Sequence, residues 1–364
     1  MRALHVFTVP VSRNGIVMFA LQRAQALARA GIQIDFVSPN PVEPDLLEQI
    51  RAQGIENVFV LSMKRPGVSY VRALARLTRR GRYDIVHAHG NSSSLFFEML
   101  AAFLGGAPTR VAHCHNTTCN HRRQDARLRP LFYRSYTAAA ACGRDAGKWL
   151  FGRRPFWVLA NAVDVDAFAF DAALRKKTRR ELGLEGGWVI GHVGRFNGQK
   201  NHRFLMQVFA QALRRRPEAR LLLVGDGYLE AQIRDLARPF GERVVFTGSV
   251  TDPRPYLCAM DVMALPSLFE GFPTVLLEWQ CAGLPALVSD RVTREAAVTP
   301  LVAFEPLESG AQAWAQRLAS LPSAPREEAS AQAVAALRRR GYALEDAAAA
   351  LLTFYRRVAR PRRS

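Results

Sequence analysis

Short apolar runs alternate along the chain with segments whose apolar residues recur every three or four positions. Residues 3–9 form an apolar run of strand length. Residues 16–30 then place Val17, Ala20, Leu21, Ala24, Leu27 and Ala28 on one helical face, and the pattern stops at Gly31. Residues 32–38, 57–61, 84–87 and 110–113 read as further strands, with helical segments between them. This alternation predicts a parallel sheet covered by helices on both faces.

The rhythm breaks at residues 156–168, where a strand over 156–159 leads into Asn161-Ala162-Val163-Asp164. A charged helix over 172–182 follows, ended by Gly183. A second series then places strands at 188–193, 219–224, 244–246, 262–265, 285–289 and 301–304. Helices at about 201–215, 229–238, 274–283 and 311–321 separate them. The chain is therefore expected to hold two doubly wound α/β domains, residues 1–163 and 164–343, each of ordinary domain size. A weakly amphipathic Ala-rich helix over 344–358 is expected to pack back on the first of them, ahead of a basic Arg360-Pro361-Arg362-Arg363 tail.

Composition narrows the class. Hydrophobic residues make up 49% and charged residues 22% of the 364, which excludes a disordered polybasic chain. No run of about 18 apolar residues appears, so no spanning segment is expected, and His5 and Pro10 argue against a signal peptide. Five cysteines suit a reducing cytosol better than a disulfide framework. The formal charge is +19, and residues 1–160 carry 22 basic against 9 acidic side chains, with clusters at 72–82 and 122–134. Such a charge suits nucleic acid or an anionic surface. No nucleic-acid-binding motif accompanies it, and the basic runs lack interleaved aromatics.

In open parallel sheets ligands bind beyond the carboxyl ends of the strands. After the strand at 262–265 comes Pro266-Ser267-Leu268-Phe269-Glu270-Gly271-Phe272-Pro273-Thr274, with Glu278 about one turn into the next helix. Two carboxylates there can accept the hydroxyls of a sugar or ribose, or can be a cap and a solvated surface group. After the strand at 188–193, Arg195 and Lys200 bracket a glycine loop leading to a helix capped by Asn201. The pair suits a diphosphate, or is simply a solvated basic loop. Residues 113–121 (His-Cys-His-Asn-Thr-Thr-Cys-Asn-His) have zinc-ligand types without paired zinc-site spacing. Alternation puts His113 and His115 on one side, where a strand-end histidine can meet a substrate hydroxyl. Of the similar pair His87 and His89, one is expected to be merely core-facing. Gly225-Asp226-Gly227 lacks the third glycine of a dinucleotide fingerprint and reads as a tight turn.

Together these stations resemble family-4 retaining glycosyltransferases of the GT-B fold, and within that family the capsular and exopolysaccharide-type transferases. The motifs are Gly-His-Val-Gly-Arg-Phe at 191–196, Gln-Lys-Asn-His at 199–202, Leu-Val-Gly-Asp-Gly at 223–227 and E-x7-E from Glu270 to Glu278. Asp261-Val262 before Pro266-Ser267, and Gly283-Leu284-Pro285, also match in order and distance.

The resemblance implies two Rossmann-like domains facing across a cleft, with the donor nucleotide sugar (a UDP-sugar by expectation) on the second. It implies that Arg195 and Lys200 hold the donor diphosphate, that Glu278 binds ribose hydroxyls, and that Glu270 with Gly271, Phe272, Pro273 and Thr274 contacts sugar and phosphates. Gly15 would let the first domain approach the diphosphate, and His115 would stand near the transferred sugar. It further implies front-face displacement with retention, no divalent metal, and a glycan or lipid-linked acceptor at the inner membrane face. An epimerase of the same fold and a basic nucleic-acid binder are the alternatives. Two departures stand out: Asn14 replaces the first of a glycine pair, and Ala162 replaces a glycine expected at a hinge.

Overall fold

A computed structural model describes residues 1–62, 67–322 and 324–362; Arg363 of the basic tail lies outside the described residues. The chain divides into two compact units, Met1–Ala162 with Leu344–Ser364, and Val163–Ala343.

The first unit runs β1 (Arg2–Phe7), α1 (Gly15–Arg29), β2 (Gln33–Ser38), α2 (Pro44–Ala52), β3 (Val58–Val60), α3 (Val68–Gly81), β4 (Ile85–Gly90), α4 (Phe96–Leu104), β5 (Thr109–Cys114), α5 (Arg122–Ser135), β6 (Ala138–Ala141), α6 (Arg144–Phe151) and β7 (Trp157–Val158). Its seven strands lie in the order β3-β2-β1-β4-β5-β6-β7, with every pairing parallel. The pattern missed β6, whose four alanines carry no alternation to read.

The second unit contains α7 (Ala172–Glu181), β8 (Trp188–Val193), α8 (His202–Arg215), β9 (Ala219–Val224), α9 (Glu230–Ala237), β10 (Val244–Gly248), α10 (Arg254–Ala259), β11 (Val262–Leu265), α11 (Thr274–Cys281), β12 (Ala286–Ser289), β13 (Val302–Glu305), α12 (Gly310–Ala319) and α13 (Arg326–Arg339). Six parallel strands take the order β10-β9-β8-β11-β12-β13. The near-continuous burial of the four inner strands, β9, β8, β11 and β12, explains why they read as apolar runs.

The last helix, α14 (Leu344–Val358), returns to the first unit. It is more amphipathic than the sequence suggests. Ala347, Ala348, Leu351, Phe354 and Tyr355 fall at helical spacing and are all buried, Leu351, Phe354 and Tyr355 within the β1–β2–α1 core. Arg23 of α1, 1% exposed, ties to this helix by donating to the Ala347 carbonyl, and its other two bonds go to the carbonyls of Phe19 in its own helix and of Ala160.

Two local expectations are corrected. Ala162 is absent from the residues of positive φ, so no glycine conformation is required there, and Val163 simply bridges to Ala343. Asn201 does not cap α8 with its side chain. It takes a left-handed backbone (φ 54°), while Asn197 Oδ1 accepts the Lys200 N–H in the preceding turn.

Between α3 and α4 the buried Glu98 lies beside Tyr70, and burial pushes its carboxyl up to about 7 against the weaker pull of the Tyr70 hydroxyl. The unfolded chain ionises near 4.5, so the native state holds an extra proton between those values. Stability from this group is therefore present below about pH 4.5 and lost as pH rises towards 7. Glu98→Gln should gain up to about 3 kcal/mol at pH 8 and under about 1 kcal/mol at pH 5. Denaturant melts at the two pH values check this; equal gains would contradict it.

Candidate active site

Each sheet reverses its strand order once, between β1 and β4 in the first unit and between β8 and β11 in the second. Ligands of doubly wound sheets sit beyond the carboxyl ends at such a reversal. In the second unit, the chain leaving β8 carries Arg195 and Lys200, and the chain leaving β11 carries Glu270.

The structure brings these two loops together. Lys200 Nζ donates to Glu270 Oε1 at 2.8 Å, Gln199 Nε2 donates to Glu270 Oε2 at 2.9 Å, and the Leu268 N–H donates to the Gln199 carbonyl at 2.8 Å. The side chains of the ion pair are only 13% and 8% exposed, so the charges face little water. Arg195 is exposed and its side chain is free of partners among the described residues. Pro273 stands in extended conformation at the start of α11, and Gly271 and Phe272 are buried. The α11 amino terminus thus follows Glu270 by one short turn, where unpaired N–H groups favour an anion. Thr274 opens the helix, and the Phe272 ring stacks on Tyr342 at 5.6 Å.

Glu278, in the second turn of α11, retains some exposure. Burial raises its carboxyl to about 7, while Lys200 pulls it down. Its side chain accepts no hydrogen bond among the described residues, which leaves it open to donors from a ligand.

Gly225 and Gly227 hold positive φ of 134° and 155°. A Cβ at either would collide with the carbonyl of Gly194 or of Phe196, so β9's exit can press against the β8 loop only as glycine. Backbone bonds from Phe196 N to the Asp226 carbonyl and from Leu229 N to the Phe196 carbonyl complete that contact. The tight turn thereby shapes the Arg195 loop.

In the first unit, Gly15 is the first residue of α1, and Asn14 caps that helix by accepting the Ile16 and Val17 N–H groups through Oδ1. The departure from the glycine pair thus has a local role: asparagine satisfies helix N–H groups that glycine would leave to solvent or ligand. His115 follows β5 and is 8% exposed. It does not stand alone. His5, His87, His89 and His113 are fully buried and share its side of the sheet, since parallel register sets His5 beside His87 and His89 beside His113. Both His87 and His89 therefore join the cluster, where only one was expected to matter. Burial lowers all five imidazoles, His5 and His115 to about 3, so they are neutral near pH 7.

Two triplets of these histidines, His5/His87/His89 and His89/His113/His115, place one nitrogen each within 4.8 Å of one another, the only metal-type groupings among the described residues. Most of those nitrogens are engaged with each other at 2.9–3.0 Å. The nearby charge acting on His113 and His115 is the buried Arg23 guanidinium. A cation would meet that charge with no carboxylate to offset it, so the cluster is poorly suited to a metal.

Residues 187–323 match the family model described as Glycosyl transferases group 1, and residues 13–167 match Glycosyltransferase Family 4. A protein of Bacillus subtilis (strain 168) named as a glycosyltransferase, EpsF, is 32% identical over 97% of this chain and 96% of its own length. The chain belongs to glycosyltransferase family 4. It is accordingly an enzyme of the transferase type. The UDP-Gal:alpha-D-GlcNAc-diphosphoundecaprenol alpha-1,3-galactosyltransferase of Escherichia coli is 27% identical over 79% of this chain and 78% of its own length. Among solved structures, HepE of Anabaena in complex with UDP superposes with a TM-score of 0.78 at 18% identity, over 98% of this chain and all of that one. The fold is GT-B, with both of its parallel-sheet units present.

Within this family 4 chain, sequence reasoning missed Gln199 as a partner of Glu270, missed His89 as the hydrogen-bond partner of His115, and missed His5, which bonds His89, and Tyr355, which bonds His5. The signal for the histidines was available: they occupy strand positions of like parity, which register in a parallel sheet brings side by side.

Proposed function

We propose that the chain transfers a hexose-type sugar, with retention, from a UDP-sugar to a glycan or lipid-linked acceptor in cell-surface polysaccharide synthesis. The observation that carries this reading is the Lys200–Glu270 ion pair with Arg195, Glu278 and the α11 amino terminus around one strand-order reversal. A fixed ammonium, a free guanidinium and helix N–H groups match a diphosphate whose charge grows as the sugar departs. Glu278 is left to accept ribose hydroxyls, and Glu270, anchored by Lys200 and Gln199, to accept those of the sugar. Arg195 and Lys200 stabilise the leaving diphosphate, whose oxygen can take the acceptor proton, so the reaction requires no side-chain nucleophile and no divalent metal.

The names of relatives support the details. The E. coli relative uses UDP-Gal and a diphosphoundecaprenol-linked acceptor, and HepE has been solved with UDP-glucose. Relatives named as transferases favour transfer over epimerisation, and nothing among them favours nucleic acid.

The first unit carries the basic excess outward. Arg72, Arg76, Arg80 and Arg82 of α3 and its cap are exposed, as are Arg123, Arg127 and Arg134 of α5 with Leu131 between them. A hollow of about 540 Å³ lined by Arg144, Lys148, Arg153, Arg154, Phe156 and Val158 adds four cations and no acid. This surface suits an anionic membrane face or a lipid-diphosphate. Among the described residues no helix is long and apolar enough to cross a membrane, so contact would be peripheral.

Saturating UDP should raise the melting temperature, by about 2.7 kcal/mol of stabilisation at a hundredfold excess over Kd, and more than GDP or ADP does. Arg195→Ala, Lys200→Ala and Glu270→Ala should each cut UDP-hexose transfer about a hundredfold or more, with the anomeric configuration kept and EDTA without effect. Wild-type rates in all three would remove the site. Separately, binding to vesicles containing anionic lipid should fall with salt and in the Arg79→Glu/Arg80→Glu/Arg82→Glu triple variant. Salt-independent binding, or equal binding to neutral vesicles, would contradict the membrane surface.

A further inference from the structure

The five histidines of the first unit and Tyr355 form one unbranched hydrogen-bonded chain. His115 Nε2 meets His89 Nδ1 at 2.9 Å, His89 Nε2 meets His5 Nδ1 at 2.9 Å, and His5 Nε2 meets the Tyr355 hydroxyl at 2.8 Å. That hydroxyl meets His87 Nδ1 at 2.7 Å, and His87 Nε2 meets His113 Nδ1 at 3.0 Å. Six groups are thus joined by five bonds. A neutral imidazole has one N–H and a phenol one O–H, so the chain holds six protons. One proton occupies each bond, and the sixth must sit at an end.

The ends differ. His113 Nε2 is fully enclosed and has no partner. A proton there would leave an N–H donor buried and unpaired, rarer and costlier than an unpaired acceptor lone pair. His115 is the one member with exposed surface, and Nδ1 is its nitrogen not engaged in the chain. We propose that the sixth proton resides on His115 Nδ1, so that His115 presents a fixed hydrogen-bond donor to a ligand oxygen and has no free ring nitrogen with which to act as a base. Every bond then points one way: each of the five imidazoles is protonated at Nδ1, and Tyr355 donates to His5 and accepts from His87. His89 is a positioning residue, because its Nδ1–H occupies the His115 Nε2 lone pair. On the reading that His115 meets the transferred sugar, its target is a sugar hydroxyl acting as acceptor, and the reaction proton goes to the leaving phosphate.

The test is two-bond 15N–1H imidazole NMR at pH 7.5 on protein labelled at its eight histidines, assigned with His115→Ala. A protonated Nδ1 and bare Nε2 at His115 support the proposal; a protonated Nε2 overturns it. In His89→Leu, which deletes the donor, His115 should show both tautomers, and retention of the Nδ1–H form alone overturns the positioning role. Should that variant not fold, His89→Asn, with its amide nitrogen near the place of Nδ1, should keep the His115 Nδ1–H signal, and its loss counts against the proposal. Wild-type transfer by His115→Ala alongside the Nδ1–H spectrum would overturn the donor role in catalysis while the proton count stood. That outcome is separate from failure of the transferase reading, which the Arg195, Lys200 and Glu270 variants report.

Discussion

The Lys200–Glu270 ion pair joins the two loops that leave the sheet where its strand order reverses. The first loop has only a single 3-10 turn at Gly198–Lys200, and the pair, with Gln199 on the second carboxylate oxygen, fixes one loop against the other. Burying two charges is costly unless both are matched, so the pair is better understood as setting geometry than as supplying stability. Around it the other groups fall into place. The β9 turn can press on the β8 loop only because positions 225 and 227 are glycine, and α11 begins just after Glu270 because Pro273 starts it. On the proposed reading, a preformed arrangement of this kind would spare a diphosphate ligand the work of reorganising its site.

The first unit solves a different problem. Burying five histidines would leave many polar atoms unpaired, and the sheet avoids this by pairing them with one another through register. Tyr355 of α14 joins His5 to His87 within the series, and Arg23 of α1 ties to α14 through the Ala347 carbonyl. The C-terminal helix is therefore part of the polar interior of the first unit as well as of its apolar core.

Much of this was legible in the sequence. Strands read as apolar runs because parallel strands are buried on both faces, and Arg195, Lys200, Glu270 and Glu278 were recognisable by their places after two of them. What was hidden depended on contacts distant in sequence. Gln199 pairs with a residue 71 positions away, and Tyr355 with His5, 350 away. Strand β6 escaped because four alanines fit helix and strand alike. The amphipathicity of α14 was masked by alanines on both faces, and the expected cap at Asn201 failed because Asn197 holds the turn before it.

The central claim is that residues 194–201 and 266–278, set at the reversal between β8 and β11, form the diphosphate site. Hydrogen exchange with and without saturating UDP tests it most directly. The account predicts that the largest gain in protection falls on those two segments, with β10 and β13 at the sheet edges unchanged. Protection confined to other segments, or none at a UDP concentration that shifts the melting temperature, would contradict it.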